Sequence, residues 1–111
     1  MYTFQSAIYD FLKYCQFEKN LSLKTIKSHR IDFNQLTNFL IAMNYSTKIT
    51  EATKFELRKF LESISSLKPK SIKRKVATIK AMFNYLGFED KITINPLRKM
   101  RIRIKELGSS S

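Results

Sequence analysis

Apolar residues recur along most of this chain at intervals of three and four, the spacing that gathers side chains on one face of an α-helix. Phe4, Ile8, Phe11, Leu12 and Cys15 make a first stripe, predicting a helix over about residues 3–19 with Asn20 as its stop. Ser22, a good N-cap, opens a second helix reaching about Met43, with Ile26, Phe33, Leu36, Leu40 and Met43 inward and Asn44 closing it. A polar, Thr-rich linker follows over 45–52. A third helix starts near Thr53, where Glu56 three residues on completes a capping box; its apolar positions are Phe55, Leu57, Phe60, Leu61 and Ile64. Pro69 and Ser71 mark entry to a fourth, with Ile72, Val76, Ile79, Phe83 and Leu86 as its stripe and Gly87 as the expected C′ residue. Phe88 and Ile92 are expected to fold back onto the bundle before Asn95-Pro96 forces a turn.

The pattern predicts an all-α bundle of four to five helices. Only two Gly and two Pro among 111 residues leave too few breakers for a chain of many tight β-turns, and 43% hydrophobic residues are enough for a core. One domain is expected over residues 1–96. A basic segment over 97–107 then begins a linker, in which Met100 to Lys105 alternate with period two. Gly108 to Ser111 read as an expression-tag scar or a truncated linker.

Charge sharpens this picture. The formal net charge is +12, from 21 Lys and Arg against 9 Asp and Glu, an excess that points to a polyanionic partner. It is unevenly spread: residues 1–20 and 51–66 balance to zero, whereas 21–50 carry +3, 67–91 carry +5 and 92–111 carry +4. The stretch from Lys68 to Lys80 holds six cations and no acid in thirteen residues, yet keeps its helical stripe. A solvated tail would lose that stripe, and an ordinary surface helix would mix both signs. The cationic start of a packed helix suits phosphates through its side chains and its unpaired N–H groups. Lys24, Lys27 and Ser28 lie opposite the second helix's stripe, and Lys70, Lys73 and Arg74 lie away from the fourth's; Ala77 and Ala81 share that side and permit close approach. Lysine-rich faces are commonly just solvated. Two such turns, on two helices of a chain whose other helices are neutral, favour nucleic acid.

Catalysis finds little support. His29 is the only histidine and falls near the second helix's core stripe, and no His, Cys, Asp or Glu grouping has metal-ligand spacing. Asp10, Glu18, Asp32, Glu51, Glu56 and Glu62 are scattered and read as solubilising partners of nearby lysines. No cofactor and no metal is expected. Cys15, the only cysteine, rules out an internal disulfide and reads as a buried thiol in a reducing compartment. With no signal peptide and no apolar run near the ~20 residues a bilayer needs, a soluble cytoplasmic protein with no membrane contact is expected.

The stretch from Leu21 to Arg30, with Ser22, Thr25, Ile26 and His29 ahead of Phe33, Leu36, Phe39 and Leu40, resembles the second helix of tyrosine recombinases. Ser71 to Leu86 is similar to their fourth helix, and Ile94-Asn95-Pro96-Leu97 to their exit into the interdomain linker. Taken in order, these motifs cover nearly the whole chain, from Phe4 to about Arg103. The chain thus resembles the SAM-like N-terminal core-binding domain of a phage- or transposon-type integrase.

That resemblance implies a helical bundle forming one half of a C-shaped clamp on duplex DNA at a recombination core site. The implied DNA contacts are Lys24, Thr25, Lys27 and Ser28, then Lys70, Ser71, Lys73 and Arg74, with Lys99, Arg101 and Arg103 following the backbone in the linker. Other recombinase protomers on the same DNA are implied partners, while the isolated domain is expected to be monomeric. The family's catalytic Arg, Lys, His-x-x-Arg and nucleophilic Tyr have no counterpart here, so this chain alone is expected not to be an enzyme. A bacterial, phage or mobile-element origin is implied. The competing reading is a protein–protein adaptor with basic docking faces, for which Ile31, Phe39 and Ile41 would form an exposed patch; RNA is weaker, because no exposed aromatic platform is evident.

Overall fold

The structure, a computed structural model, describes residues 2–97. Lys99, Arg101 and Arg103, and nearly all of the expected basic linker, lie outside the described residues. Within them the chain forms four α-helices, α1 (Phe4–Phe17), α2 (Leu23–Ala42), α3 (Lys54–Ser63) and α4 (Pro69–Phe88), with a single 3₁₀ turn at Ile49–Glu51. No strand is present among the described residues. The all-α bundle read from periodicity is what forms.

Each helix starts at a residue able to stop the chain being helical any earlier. Thr3 caps α1 by accepting from the Ser6 N–H (3.2 Å), and Ser22 caps α2 by accepting from the Thr25 N–H (3.2 Å). Thr53 and Glu56 form the reciprocal capping box of α3. Proline at the first position of α4 fixes a helical φ where no N–H is needed.

Three of the four helix ends share one device. Asn20, Asn44 and Asp90 sit in the left-handed region, at φ of 53°, 61° and 59°, a conformation that Asn and Asp tolerate better than other side-chain-bearing residues. After α2 the Tyr45 N–H donates to Leu40 O (2.8 Å) and the Asn44 N–H to Ile41 O (3.0 Å). After α4 the Lys91 N–H donates to Leu86 O (2.8 Å) and the Asp90 N–H to Gly87 O (3.2 Å). Both are Schellman closures. The expected stop at Gly87 is therefore corrected: α4 runs on through Phe88, Gly87 has no positive φ, and Asp90 takes the left-handed position.

Most of the core comes from the predicted stripes, joined by Ala7, Met82 and Ile49, while Phe55 of the third helix's apolar positions stays exposed. Phe4, Ala7, Ile8, Phe11, Leu12 and Cys15 of α1 are buried, as are Ile26, Phe33, Leu36 and Leu40 of α2 and Ile72, Val76, Ile79, Met82, Phe83 and Leu86 of α4. Aromatic edges lock the helices together: Phe11 of α1 meets Phe33 of α2 edge-on (5.9 Å) and Tyr85 of α4 (5.7 Å), while Phe4 meets Phe83 (6.1 Å). Helix α1 packs on α2 and α4, and α4 on α2, whereas α3 packs chiefly on α2. There Phe39 seats against Phe60 (5.6 Å).

Three expectations fail at the edges. Met43 is exposed rather than inward, because α2 ends at Ala42 and Met43 already belongs to the turn around Asn44. Phe88 is 84% exposed, since the closure at Asp90 leaves it on the outer side of the last turn; Ile92 does fold back and is buried. The linker between α2 and α3 is also more structured than its polarity implies. It runs antiparallel to the start of α1, with the Phe4 N–H donating to Thr47 O (2.8 Å) and the Ile49 N–H to Tyr2 O (3.0 Å), and it buries Ile49.

Candidate nucleic-acid interface

The first turns of α2 present Lys24 and Lys27 to solvent, with Thr25 and Ser28 half-buried beside them. Thr25 is partly committed, since its hydroxyl lies 3.0 Å from that of the capping Ser22. At the start of α4, Lys70 and Lys73 are exposed and Ser71 is half-buried. No side chain caps α4, which leaves its N-terminal dipole open to an anion. Ala77 and Ala81 are exposed, as the wheel predicted; Thr78 beside them is buried.

Between these two turns lies a group that the sequence reading misjudged. Asp32 of α2 is not a solubilising surface acid. It is fully buried, and its Oδ1 accepts from Lys75 Nζ (2.8 Å) and Arg74 Nη2 (3.0 Å), both on α4. Oδ2 is buried without a hydrogen-bond partner. Lys75, counted in the basic run, is withdrawn from any surface: its side chain is 5% exposed, against 54% for Arg74. A signal for this pair existed. Successive helical residues turn by ~100°, which puts Asp32 about 40° from Leu36 and Lys75 about 20° from Leu86, so opposite charges stand at the edges of two core stripes.

His29 also belongs to this joint. Its ring packs near Phe11 (6.4 Å), and its Nδ1 lies 3.4 Å from the Thr78 hydroxyl, which itself donates to Arg74 O (2.9 Å). Burial pushes the imidazole below its ordinary value; Asp32 opposes that shift and Arg74 adds to it. The contacts of Asp32 with Arg74 and Lys75, and of His29 with Thr78, are the described side-chain bonds joining α2 to α4. They run in reversed order along the two helices. The cationic starts of α2 and α4 accordingly flank this joint on opposite sides rather than stand abreast.

Elsewhere, the adaptor patch does not form as one surface. Ile31 and Ile41 are exposed, but Phe39 turns inward between Phe60 and Tyr45. A cleft of about 550 Å³ lies away from the basic turns, between the start of α3 and the segment after α4, lined by Thr50, Lys54, Ile92, Asn95 and Pro96 among others. No three His, Cys, Asp or Glu residues converge on a metal position among the described residues. Cys15 is buried, and burial pushes its thiol up. Among the described residues, no helix is long and apolar enough to cross a membrane.

Residues 8–89 match the family of the phage integrase N-terminal SAM-like domain. The chain belongs to that family. Its integrase-type domain is 39% identical over 107 residues to a tyrosine recombinase of Agathobacter rectalis, covering 96% of this chain and 34% of that protein. It is 31% identical over 94 residues to the tyrosine recombinase XerC of Oceanobacillus iheyensis (83% of this chain, 30% of the relative). To XerC of Herpetosiphon aurantiacus it is 30% identical over 98 residues (86% and 32%). The SAM-like chain thus spans about a third of the length of these relatives. No solved structure matches it significantly.

Proposed function

We propose that this chain grips duplex DNA at a recombination core site, as the N-terminal half of a clamp belonging to a site-specific tyrosine recombinase. The observation that carries this reading is the pair of cationic helix starts, on α2 and α4, held in fixed relation by the buried Asp32 joint. Lys24, Lys27, Lys70, Lys73 and Arg74 supply the charge, with Thr25, Ser28 and Ser71 as hydroxyl donors to phosphates or groove edges. Lys99, Arg101 and Arg103 are proposed as further phosphate contacts. Strand cleavage is assigned to the parts of a recombinase that this chain does not span, and neighbouring protomers on the DNA are further partners. The setting is the cytoplasm of a bacterium, where such DNA is reached.

Affinity resting on phosphates falls steeply with salt, and half a clamp binds in roughly the micromolar range of non-specific contact. Fluorescence anisotropy with a labelled duplex tests this. The charge reversals Lys24→Glu/Lys27→Glu and Lys70→Glu/Lys73→Glu should each weaken binding about tenfold or more at low salt and leave the helical CD signal unchanged. Folded variants that bind like the parent would refute the surface. Arg74 is kept out of this test because a reversal there would set two carboxylates against each other.

A further inference from the structure

Arg74 and Lys75 are adjacent cations on α4 that converge on one oxygen of one buried carboxylate. A staple between α2 and α4 needs only one of them. Lys75 suffices for it: its ammonium sits 2.8 Å from Asp32 Oδ1 with its side chain almost wholly out of water. Arg74 differs in the respect that matters, because over half of its side chain stays in solvent while one nitrogen, Nη2, is tied down. A guanidinium carries five N–H donors in a rigid planar fork, so one bond to Asp32 restrains where the fork can point and leaves the remaining edges for another acceptor.

Charge balance completes the argument. Asp32 paired with Arg74 alone would orient the guanidinium but cancel its charge. With Lys75 buried beside them the three groups sum to one surplus positive charge, and the exposed member of the three is Arg74. We infer that Asp32 and Lys75 act together as positioning residues for Arg74: the carboxylate aims the guanidinium and the buried ammonium supplies the counter-charge, so Arg74 meets a DNA phosphate oriented and still cationic. This rests on the duplex-binding reading above and assigns roles there to two residues that no solvent-facing DNA contact could include.

The test uses the full chain, with a labelled duplex over a range of KCl and with guanidinium-resolved ¹⁵N NMR. In the parent protein, one arginine should show slowed, resolved Nη signals that shift on adding duplex; Asp32→Asn, which keeps an acceptor at Oδ1 and removes the charge, should collapse them. Arg74→Gln should weaken binding several-fold and reduce the salt slope by about 1. Lys75→Met should approach the same loss, well beyond that of Lys80→Met, which removes equal charge from an exposed site on the same helix. Adding Asp32→Asn to Arg74→Gln should change DNA affinity no further.

The idea fails if Lys75→Met binds no worse than Lys80→Met. It fails equally if Asp32→Asn weakens binding as much without Arg74 as with it. If Lys24→Glu/Lys27→Glu abolishes binding while Arg74→Gln and Lys75→Met do not, the DNA reading stands and this inference falls. A parent that ignores duplex overturns both, and the guanidinium spectrum then reports separately whether Asp32 holds Arg74. Variants that unfold are replaced by the parent's own Nη shifts on DNA addition, whose absence counts against the inference.

Discussion

Lys75 Nζ of α4 and Asp32 Oδ1 of α2 stand 2.8 Å apart, both side chains shut off from solvent. A buried ion pair tolerates loss of one member badly, because the survivor remains as an uncompensated charge. The presence of Arg74 makes the two losses unequal. Asp32→Ala strands the buried Lys75 ammonium beside a second cation and should lower the unfolding free energy by about 3–5 kcal/mol. Lys75→Met leaves Arg74 to partner the carboxylate and should lower it by only about 1–3 kcal/mol. Urea unfolding followed by far-UV CD measures both; equal losses would mean that Arg74 contributes nothing to holding Asp32.

Gly87 lies in the last turn of α4, one residue before its end and outside the left-handed region, and nothing lies within 4 Å of where a β-carbon would stand. Glycine inside a helix is less favourable than alanine by ~0.5–1 kcal/mol. Gly87→Ala, so close to the helix end, should therefore stabilise the domain by up to about that amount. Had Gly87 been the C′ residue, the same change would have strained a left-handed backbone and destabilised it, so the sign of the shift in thermal midpoint distinguishes the two placements.

His29 gives the fold a pH dependence. Burial lowers its folded-state affinity for a proton, Arg74 pulls the same way and Asp32 opposes, with Phe11 and Thr78 as its uncharged neighbours. The unfolded chain thus binds the proton at a higher pH than the folded one, and stability falls as pH drops below about 6.5. The urea midpoint should be lower at pH 5.5 than at pH 7.5, and His29→Gln should remove part of that difference. A higher midpoint at pH 5.5 would show that Asp32 captures the imidazolium instead.

Ser22 caps α2 through its hydroxyl and also holds the Thr25 side chain at 3.0 Å. Ser22→Ala should cost about 1 kcal/mol. It should also weaken DNA binding through Thr25, whereas Ser22→Asp restores the cap and sets a carboxylate at the proposed phosphate site. Thermal melts and anisotropy together separate these effects: Ser22→Asp should melt near the parent and bind DNA worst of the three.

The helices and most of the core were legible because period-3.6 stripes are long and locally consistent. The caps of α2 and α3, Ser22 and Thr53, and the Pro69 that opens α4 stood in plain view, whereas the Thr3 cap of α1 was not marked as one. What escaped the sequence had non-local causes. The pairing of the 45–52 linker with the start of α1 depends on backbone groups, not on any residue type, so nothing in the sequence marks it. Phe88 was misplaced because the left-handed position after α4 fell to Asp90 and not to Gly87, while Asn44 closes α2 as expected and leaves Met43, one residue before it, outside the helix. In the candidate site, the exposed lysines were readable from charge distribution alone. Asp32 and Lys75 were not: only their angular positions beside the core stripes marked them, and a charged residue at such an edge looks like surface until its partner from a distant segment is set against it.

Helix α3 is held chiefly by α2, while α1, α2 and α4 each touch the other two. The bundle is thus a closed triangle with a flap, and a flap fastened along one side can open without parting the rest. Its amides, over 54–63, have a route to solvent that leaves the joint between α2 and α4 shut. Hydrogen exchange should accordingly run in two tiers, fast across α3 and slow across the triangle, so that the domain loosens first on a helix with no assigned DNA contact and keeps its grip while doing so.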